Sequence, residues 1–277
     1  MALNPVDNQF QVNQTQSFEA GSASVASNGS GTYVVVWQSE DADGLGIFGQ
    51  RYLPDGTRVG NEFRVNTSTQ GDQRGPAVGM AANGSFVVVW SGEGASGDEN
   101  DIYAQRYSPF GVPVGNEFRV NTTTDGRQSS AAIAVADNGN FTIAWDGSAS
   151  FNDSEIYARS FNTTNSTGSP LGPDFRVNQV TDEFQFQPAI AADNVGNVAI
   201  TWTSGDSFGG NNGPDGDGTA VAARLFTAGG TARGNEFVVN QTTAGRQENS
   251  AIDMTPNGNF VITYSDDPGS APFRLLG

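Results

Sequence analysis

One interval in this chain does not vary. A Val-Asn pair puts an asparagine at Asn13, Asn66, Asn121, Asn178 and Asn240. Each is followed 24 residues later by an aromatic that closes a β-branched run: Trp37, Trp90, Trp145, Trp202 and Tyr264. The return interval, from aromatic to the next asparagine, is 29, 31, 33 and 38 residues. One half of the repeat is held to length and the other absorbs all the variation. Any fold for this chain has to place five equivalent units, each with a rigid half and an adjustable half.

The second copy shows what each unit is made of. Glu62 to Asn66 alternates polar and apolar, the period of a half-buried strand. Thr67 to Arg74 is rich in Thr, Gly and Gln and is expected to be a loop. Pro76 to Ala81 is a strand of small residues, and Asn83-Gly84 predicts a two-residue hairpin turn. Ser85 to Trp90 is β-branched, a Gly- and acid-rich loop runs from Ser91 to Asn100, and Asp101 to Tyr107 alternates again. Nothing in the period is helical. Four antiparallel strands in about 55 residues match one blade of a β-propeller. A row of small sandwiches or a solenoid fits less well, because a blade this small buries too little to fold alone.

The expected fold is therefore all-β: one five-bladed propeller of four-stranded antiparallel blades spanning residues 1–277. Its blades run 14–66, 67–121, 122–178, 179–240 and 241–277 plus 5–13. Pro5 to Asn13 aligns with Pro113 to Asn121, so the N-terminal segment supplies the outer strand that the fifth copy lacks. That strand would close the ring and remove an open sheet edge.

Composition narrows function. The 277 residues carry net charge −17, and all 13 basic residues are Arg; Cys and His are absent. Such a surface excludes nucleic acid and anionic membrane as partners. Zinc, haem and iron–sulfur sites and a Ser-His-Asp triad lack their ligands. No apolar run reaches the roughly 18–20 residues of a membrane span. The start, Met1 to Pro5, lacks the basic and apolar regions of a signal peptide. Either the chain is a mature or excised form, or it is exported without such a segment; an extracellular or cell-surface setting is expected.

The variable interval lies almost wholly in the loop after the aromatic, which spans 10, 12, 11 and 19 residues up to Ile47, Ile102, Ile156 and Val221. These loops share one face, and they hold the acids. Asp41 and Asp43, Asp98 and Asp101, Asp153 and Glu155, and Asp215 and Asp217 are the candidate Ca²⁺ ligands, since hard cations take clustered carboxylates on Gly-permitted turns. Solvated turn acids are the alternative. A second recurring set lies seven residues after each asparagine: Gln73, Gln128, Gln185 and Gln247, with Arg74, Arg127 and Arg246 adjacent and Ala20 in the first copy. This set is expected to ring the channel mouth, either offering amides and guanidinium groups to a sugar or acidic ligand, or satisfying backbone groups between blades. The tryptophans are expected in the core between blades. The asparagines are expected to cap strand ends through their own backbone.

The pattern N-E-F-x-V-N-T, then A-x-A-x-x-x-N-G-x-F-x-V-x-W, then I-Y-A-Q-R-Y resembles the tandem repeats of large acidic bacterial surface and exported proteins. Those repeats accompany hemolysin-type (RTX) calcium-binding or integrin-like propeller segments. The resemblance covers residues 8–276 and implies a propeller, an extracellular setting and adhesive or calcium-linked roles. The chain lacks the Gly-Gly-x-Gly-x-Asp array and the full integrin-type calcium loop. The inner strands, read as SASVAS, PAVGMA, AAIAVA, PAIAAD and SAIDMT, are almost free of the carboxylates a glycosidase needs. The expectation is thus a non-catalytic module, not an enzyme, binding carbohydrate or a surface partner through the loop-rich face, with Ca²⁺ as an optional cofactor. The alternative is a self-assembling subunit of a surface layer, sheath or filament.

Overall fold

A computed structural model describes residues 9–15, 19–41, 43–93, 100–150, 153–163, 169–205, 213–267 and 274–276. Among them there is no helix, and every pairing but one is antiparallel. The first sheet orders β1 (Ala20–Ser27), β2 (Tyr33–Asp41), β3 (Gly44–Tyr52) and β4 (Arg58–Arg64). The second does the same with β5 (Gln73–Met80), β6 (Phe86–Glu93), β7 (Asn100–Tyr107) and β8 (Phe118–Arg119). The third contains β9 (Arg127–Val135), β10 (Phe141–Ser150) and β11 (Asp153–Asn162), with β12 (Ser169–Pro170) and β13 (Phe175–Arg176) both on β11.

The fourth sheet departs from expectation. It joins β14 (Gln185–Ala192), β15 (Val198–Gly205), β16 (Thr219–Phe226) and β17 (Phe237–Val238) to β18 (Arg246–Met254), β19 (Phe260–Asp267) and β20 (Arg274–Leu276). The link is a single parallel pair, Thr219 with Arg246. Four hydrogen-bonded sheets therefore stand where five separate blades were expected. Among the described residues, repeats four and five share a strand pair that the other repeats do not.

The repeat dictates local geometry. Each first strand carries one residue in the left-handed region at the same place: Ser22, Gly75, Ser130, Gln187 and Asn249, with φ between 49° and 59°. The pairing register slips there in all five copies, so the first strand has a β-bulge at its loop-side end. The strand also begins earlier than expected; Gln73 and Arg74 belong to β5, not to a loop. Asn83-Gly84 does turn the chain, but inside a three-residue loop: Ala81 N–H donates to Ser85 at 2.8 Å and Gly84, at φ 85°, donates back to Ala81 at 2.9 Å. A left-handed glycine closing such a turn sets the strand twist as well as a two-residue turn does.

The core lies between consecutive sheets. Val34 and Val36 of β2 pack on Val78, Phe86, Val88 and Trp90 of the next repeat, and Val87 and Val89 pack on Ile143 and Trp145 of the one after. First strands neighbour one another in sequence order, β1 beside β5, β9, β14 and β18 in turn. The ends of the series are bare. Val25 on β1 is 63% exposed and Val261 on β19 is 56% exposed, whereas their counterparts Val78 and Val87 are 7% and 4% exposed.

Ring closure was expected through residues 5–13, of which 5–8 lie outside the described residues. Among the described residues no strand pairing joins 9–15 to β19 or β20. Residues 11–14 instead lie against repeat one. Gln14 N–H donates to Glu62 at 2.7 Å, as Thr67 N–H donates to Glu117 at 2.6 Å and Thr122 N–H to Asp174 at 2.9 Å. The segment thus occupies the position that the outer strand of a preceding repeat would take.

Candidate functional site

The invariant half of the repeat is scaffold, and its side chains show why. The Asn of each Val-Asn pair donates to the backbone oxygen two residues on, at 2.7 Å for Asn66, Asn121 and Asn240. Its Oδ1 accepts the N–H of the residue opening the third strand: Ile47 at 2.7 Å, Ile102 at 2.8 Å, Ile156 at 2.9 Å and Val221 at 2.9 Å. One amide therefore ties the outer strand to the third strand in four of the copies.

The glutamines expected at a channel mouth are buried. Gln73, Gln128 and Gln185 accept the indole N–H of Trp90, Trp145 and Trp202 at 2.9, 3.0 and 2.8 Å. A buried indole N–H needs such an acceptor. Arg74, Arg127 and Arg246 stay exposed at the starts of the first strands, with Arg74 paired to Asp72.

The acids expected to bind calcium are also mostly spent on scaffold. Asp41 pairs with Arg64. Asp101 accepts from Asn121 at 2.6 Å and from Arg119 at 3.4 Å. Glu155 accepts from Asn178 and lies 3.9 Å from Arg176. Asp43 is exposed and donates its N–H to Asp41 in a tight turn. Asp98 and the side chain of Asp153 lie outside the described residues. Among the described residues no three His, Cys, Asp or Glu side chains gather where they could hold a metal ion.

Repeats four and five break this regularity at two aligned positions. Val238 stands where Arg64, Arg119 and Arg176 stand, so Asp215 keeps its asparagine, Asn240 at 2.7 Å, without an arginine. Burial pushes the Asp215 carboxyl above the usual carboxylate range, with the bond from Asn240 pulling the other way and the charge of Asp217 adding to the rise. Tyr264 stands where the tryptophans stand and has no indole N–H to give Gln247. Gln247 turns instead to Asn240 at 3.2 Å and donates to Asp266 at 2.9 Å. Asp266 is 1% exposed and also accepts from Thr242 at 3.4 Å. Burial, and then the charge of Asp266, push the Tyr264 phenol upward.

The result is a continuous polar chain, Asp215–Asn240–Gln247–Asp266, running inward from the loop face. Asp217 sits at its outer end, exposed, accepting the Gly245 N–H at 3.2 Å. Both departures are visible in the aligned sequence as Arg→Val and Trp→Tyr. They carry no meaning there until the partners they remove are known.

A further acid, Asp146, lies beside the first strand of repeat three. Its Oδ2 accepts from Ser129 at 3.1 Å and its buried Oδ1 has no hydrogen-bond partner. Burial raises its carboxyl, against the pull of the Ser130 and Ser129 hydroxyls.

No family model and no curated sequence matches the chain, so the resemblance to RTX-associated and integrin-like repeats finds no support there. Solved structures do match in shape. A protein of unknown function from Dyadobacter fermentans superposes with TM-score 0.61 at 10% identity, covering 96% of this chain and 85% of its own. An α-L-arabinofuranosidase of Fusarium graminearum, solved with arabinobiose, gives 0.60 at 12% identity, covering 92% and 80%. An α-L-arabinanase of Penicillium chrysogenum, also with arabinobiose, gives 0.56 at 13% identity, with the same coverages. These likenesses correct the expectation of a non-catalytic adhesive or self-assembling module: the architecture is one that glycoside hydrolases use, and acid-poor first strands are no ground for excluding an enzyme. By fold, the chain is similar to an α-L-arabinofuranosidase and an α-L-arabinanase.

Proposed function

We propose that this chain is a carbohydrate-active enzyme that cleaves glycosidic bonds of a polysaccharide at the loop face of repeats four and five. The observation that carries the reading is the Asp215–Asn240–Gln247–Asp266 chain with Asp217 beside it. Glycoside cleavage needs one carboxyl that holds its proton near neutral pH and one that is ionised. Asp215, freed of arginine and partly desolvated, is the proton donor. Asp217, exposed to solvent beside it, is the second carboxyl. Asn240 and Gln247 are positioning residues that hold Asp215 through the buried Asp266. An exported setting, proposed from the acidic, Cys-free composition, suits a polymeric substrate.

The reading includes a closed five-bladed ring. Its support is the fivefold repeat and the docking of residues 11–14 on repeat one in the place of a preceding outer strand.

The test is reducing-sugar release from arabinan, arabinoxylan and xylan. Cleavage of at least one polymer is expected, falling by roughly 100-fold or more in Asp215→Asn, as for loss of a general acid. Asp217→Asn should do the same with the fold unchanged by circular dichroism. Wild-type cleavage that survives both substitutions would sink the assignment, and no release from a broader polysaccharide panel would sink the enzyme reading.

A further inference from the structure

Four of the five repeats hold an aromatic ring at the same place on the third strand. In three of them it lies directly opposite an aromatic of the second strand: Tyr52 with Tyr33, Tyr107 with Phe86, and Phe161 with Phe141. These pairs stack at 4.9, 4.7 and 4.8 Å, each 9° from parallel. In repeat four the ring is Phe226, opposite Val198. A phenylalanine from the segment before each repeat tilts onto the third-strand ring. Phe10 meets Tyr52 at 5.6 Å, Phe63 meets Tyr107 at 5.3 Å, Phe118 meets Phe161 at 5.6 Å and Phe175 meets Phe226 at 5.1 Å.

Repeat five keeps the flanking rings without the middle one. Phe260 stands where Phe86 and Phe141 stand, and Phe237 where Phe63, Phe118 and Phe175 stand. Phe260 is 37% exposed and Phe237 41%, against 1% for Phe86 and 3% for Phe141. The middle ring lies four residues past the strand partner of the core aromatic: Tyr107 after Tyr103, Phe161 after Tyr157 and Phe226 after Ala222. In repeat five that partner is Leu276, and the 277 residues hold no ring at the corresponding place.

The backbone is open at the same spot. β16 pairs with β15 along its whole length, Val198 to Gly205, whereas β20 pairs with β19 only at Tyr264, Ser265 and Asp266. Among the described residues nothing pairs with that edge of Phe260 to Thr263. An open strand edge beside an open ring slot is a template for strand addition: main-chain bonds give affinity and the slot gives specificity. The other repeats show what fits. Arg159 and Arg224, two residues before the ring, lie over Phe161 and Phe226 at 5.6 and 5.4 Å and donate to the Val120 and Val177 carbonyls at 2.7 and 2.8 Å. Val239 is the counterpart of those valines beside repeat five.

We propose that this edge binds an extended segment of a partner polypeptide carrying Arg-x-Phe or Arg-x-Tyr, antiparallel to β19 and end to end with β20. Its ring stacks between Phe260 and Phe237, and its arginine donates to the Val239 carbonyl. Phe260 and Asp266 lie at opposite ends of β19, so the site stands or falls apart from the proposed cleavage.

Fluorescence anisotropy with a labelled peptide of the sequence Ala222 to Ala228 tests it on the full chain. Saturable binding is expected, weakened about tenfold or more when the peptide carries Phe226→Ala, as for loss of a stacked aromatic with its buried area, and weakened also by Arg224→Ala. Those two peptides leave the protein unchanged. Phe260→Ala in the protein should weaken binding to a similar degree, with circular dichroism showing that the variant folds. Absence of binding, equal binding of the peptide without its phenylalanine, or normal binding by Phe260→Ala would each overturn the site. So would a dimer of the chain that Phe260→Ala dissolves, since a second copy would then be the occupant.

Discussion

Repeats three and five are built on the same 24-residue interval and use it in opposite ways. In repeat three Trp145 gives its N–H to Gln128 at 3.0 Å, and the acid at the head of the third strand, Glu155, is engaged by Asn178 with Arg176 beside it. These polar groups are spent on holding the strands of one sheet together. Where repeat four meets repeat five, the aromatic is Tyr264 and the arginine is Val238, and the same glutamine and asparagine become links between two carboxylates. The difference teaches that a repeat frees a polar group by losing a scaffold partner, and the proposed cleavage rests on that freedom. The residues left behind are already held in place, and one carboxyl has no arginine beside it.

That contrast can be broken in several ways. The largest effect is expected from Trp145→Ala, which empties a fully buried site in the third repeat and should cost about 3–5 kcal/mol by denaturant unfolding. Tyr264→Ala, which removes a smaller side chain that is 7% exposed, should cost clearly less; equal costs would mean that repeat five is packed as tightly as repeat three.

Val238→Arg restores the missing arginine. It should bring the Asp215 carboxyl back toward the ordinary range and reduce cleavage by about 100-fold, with stability changed by less than about 1 kcal/mol, as for an exposed ion pair. Unaltered turnover in that variant would remove Asp215 from the proposed mechanism.

Repeat one offers the converse repair. Ala20 stands in place of the glutamine, and the buried Trp37 Nε1 has no hydrogen-bond partner. Ala20→Gln should supply the acceptor and stabilise the protein by about 1 kcal/mol in thermal or denaturant unfolding. Repeat four already accommodates this glutamine beside Ser204, the counterpart of Ser39. Destabilisation would show that the first repeat is packed differently from the fourth.

The smallest effect concerns Asp146. Its folded-state pKa is raised, so the stability tied to its protonated form is fully present below the ordinary carboxylate value of about 3.9 and is lost as pH rises through the raised value. Asp146→Asn should therefore melt higher than the wild type at pH 7, and the gap should close as pH falls below about 4. A gap that stays constant over that range would show that the carboxyl is not the cause.

The strand content, the five copies and the asparagine caps were legible in sequence because each follows from local spacing. Alternation marks strands, and an asparagine bonding two residues on needs no distant partner. The glutamines were harder. Periodicity placed them ahead of the first strand, but their bonds are to tryptophans 17 residues away across a hairpin, and that turns an expected channel mouth into core. The acids of the variable loops misled for the same reason: their partners, Arg64, Arg119 and Arg176, lie on the outer strand, and nothing in the loop sequence points there.

By itself the sequence determined that this chain is a series of five β units of constant inner length, since a fixed interval between a cap and a core aromatic leaves no other regular structure to fill it. Only the tertiary structure decided which of the loop acids is held by an arginine and which is not. Whether a carboxylate is scaffold or reactive depends on whether an arginine from another strand reaches it. That is a property of packing, because charge, burial and donor all arrive from parts of the chain that are distant in sequence.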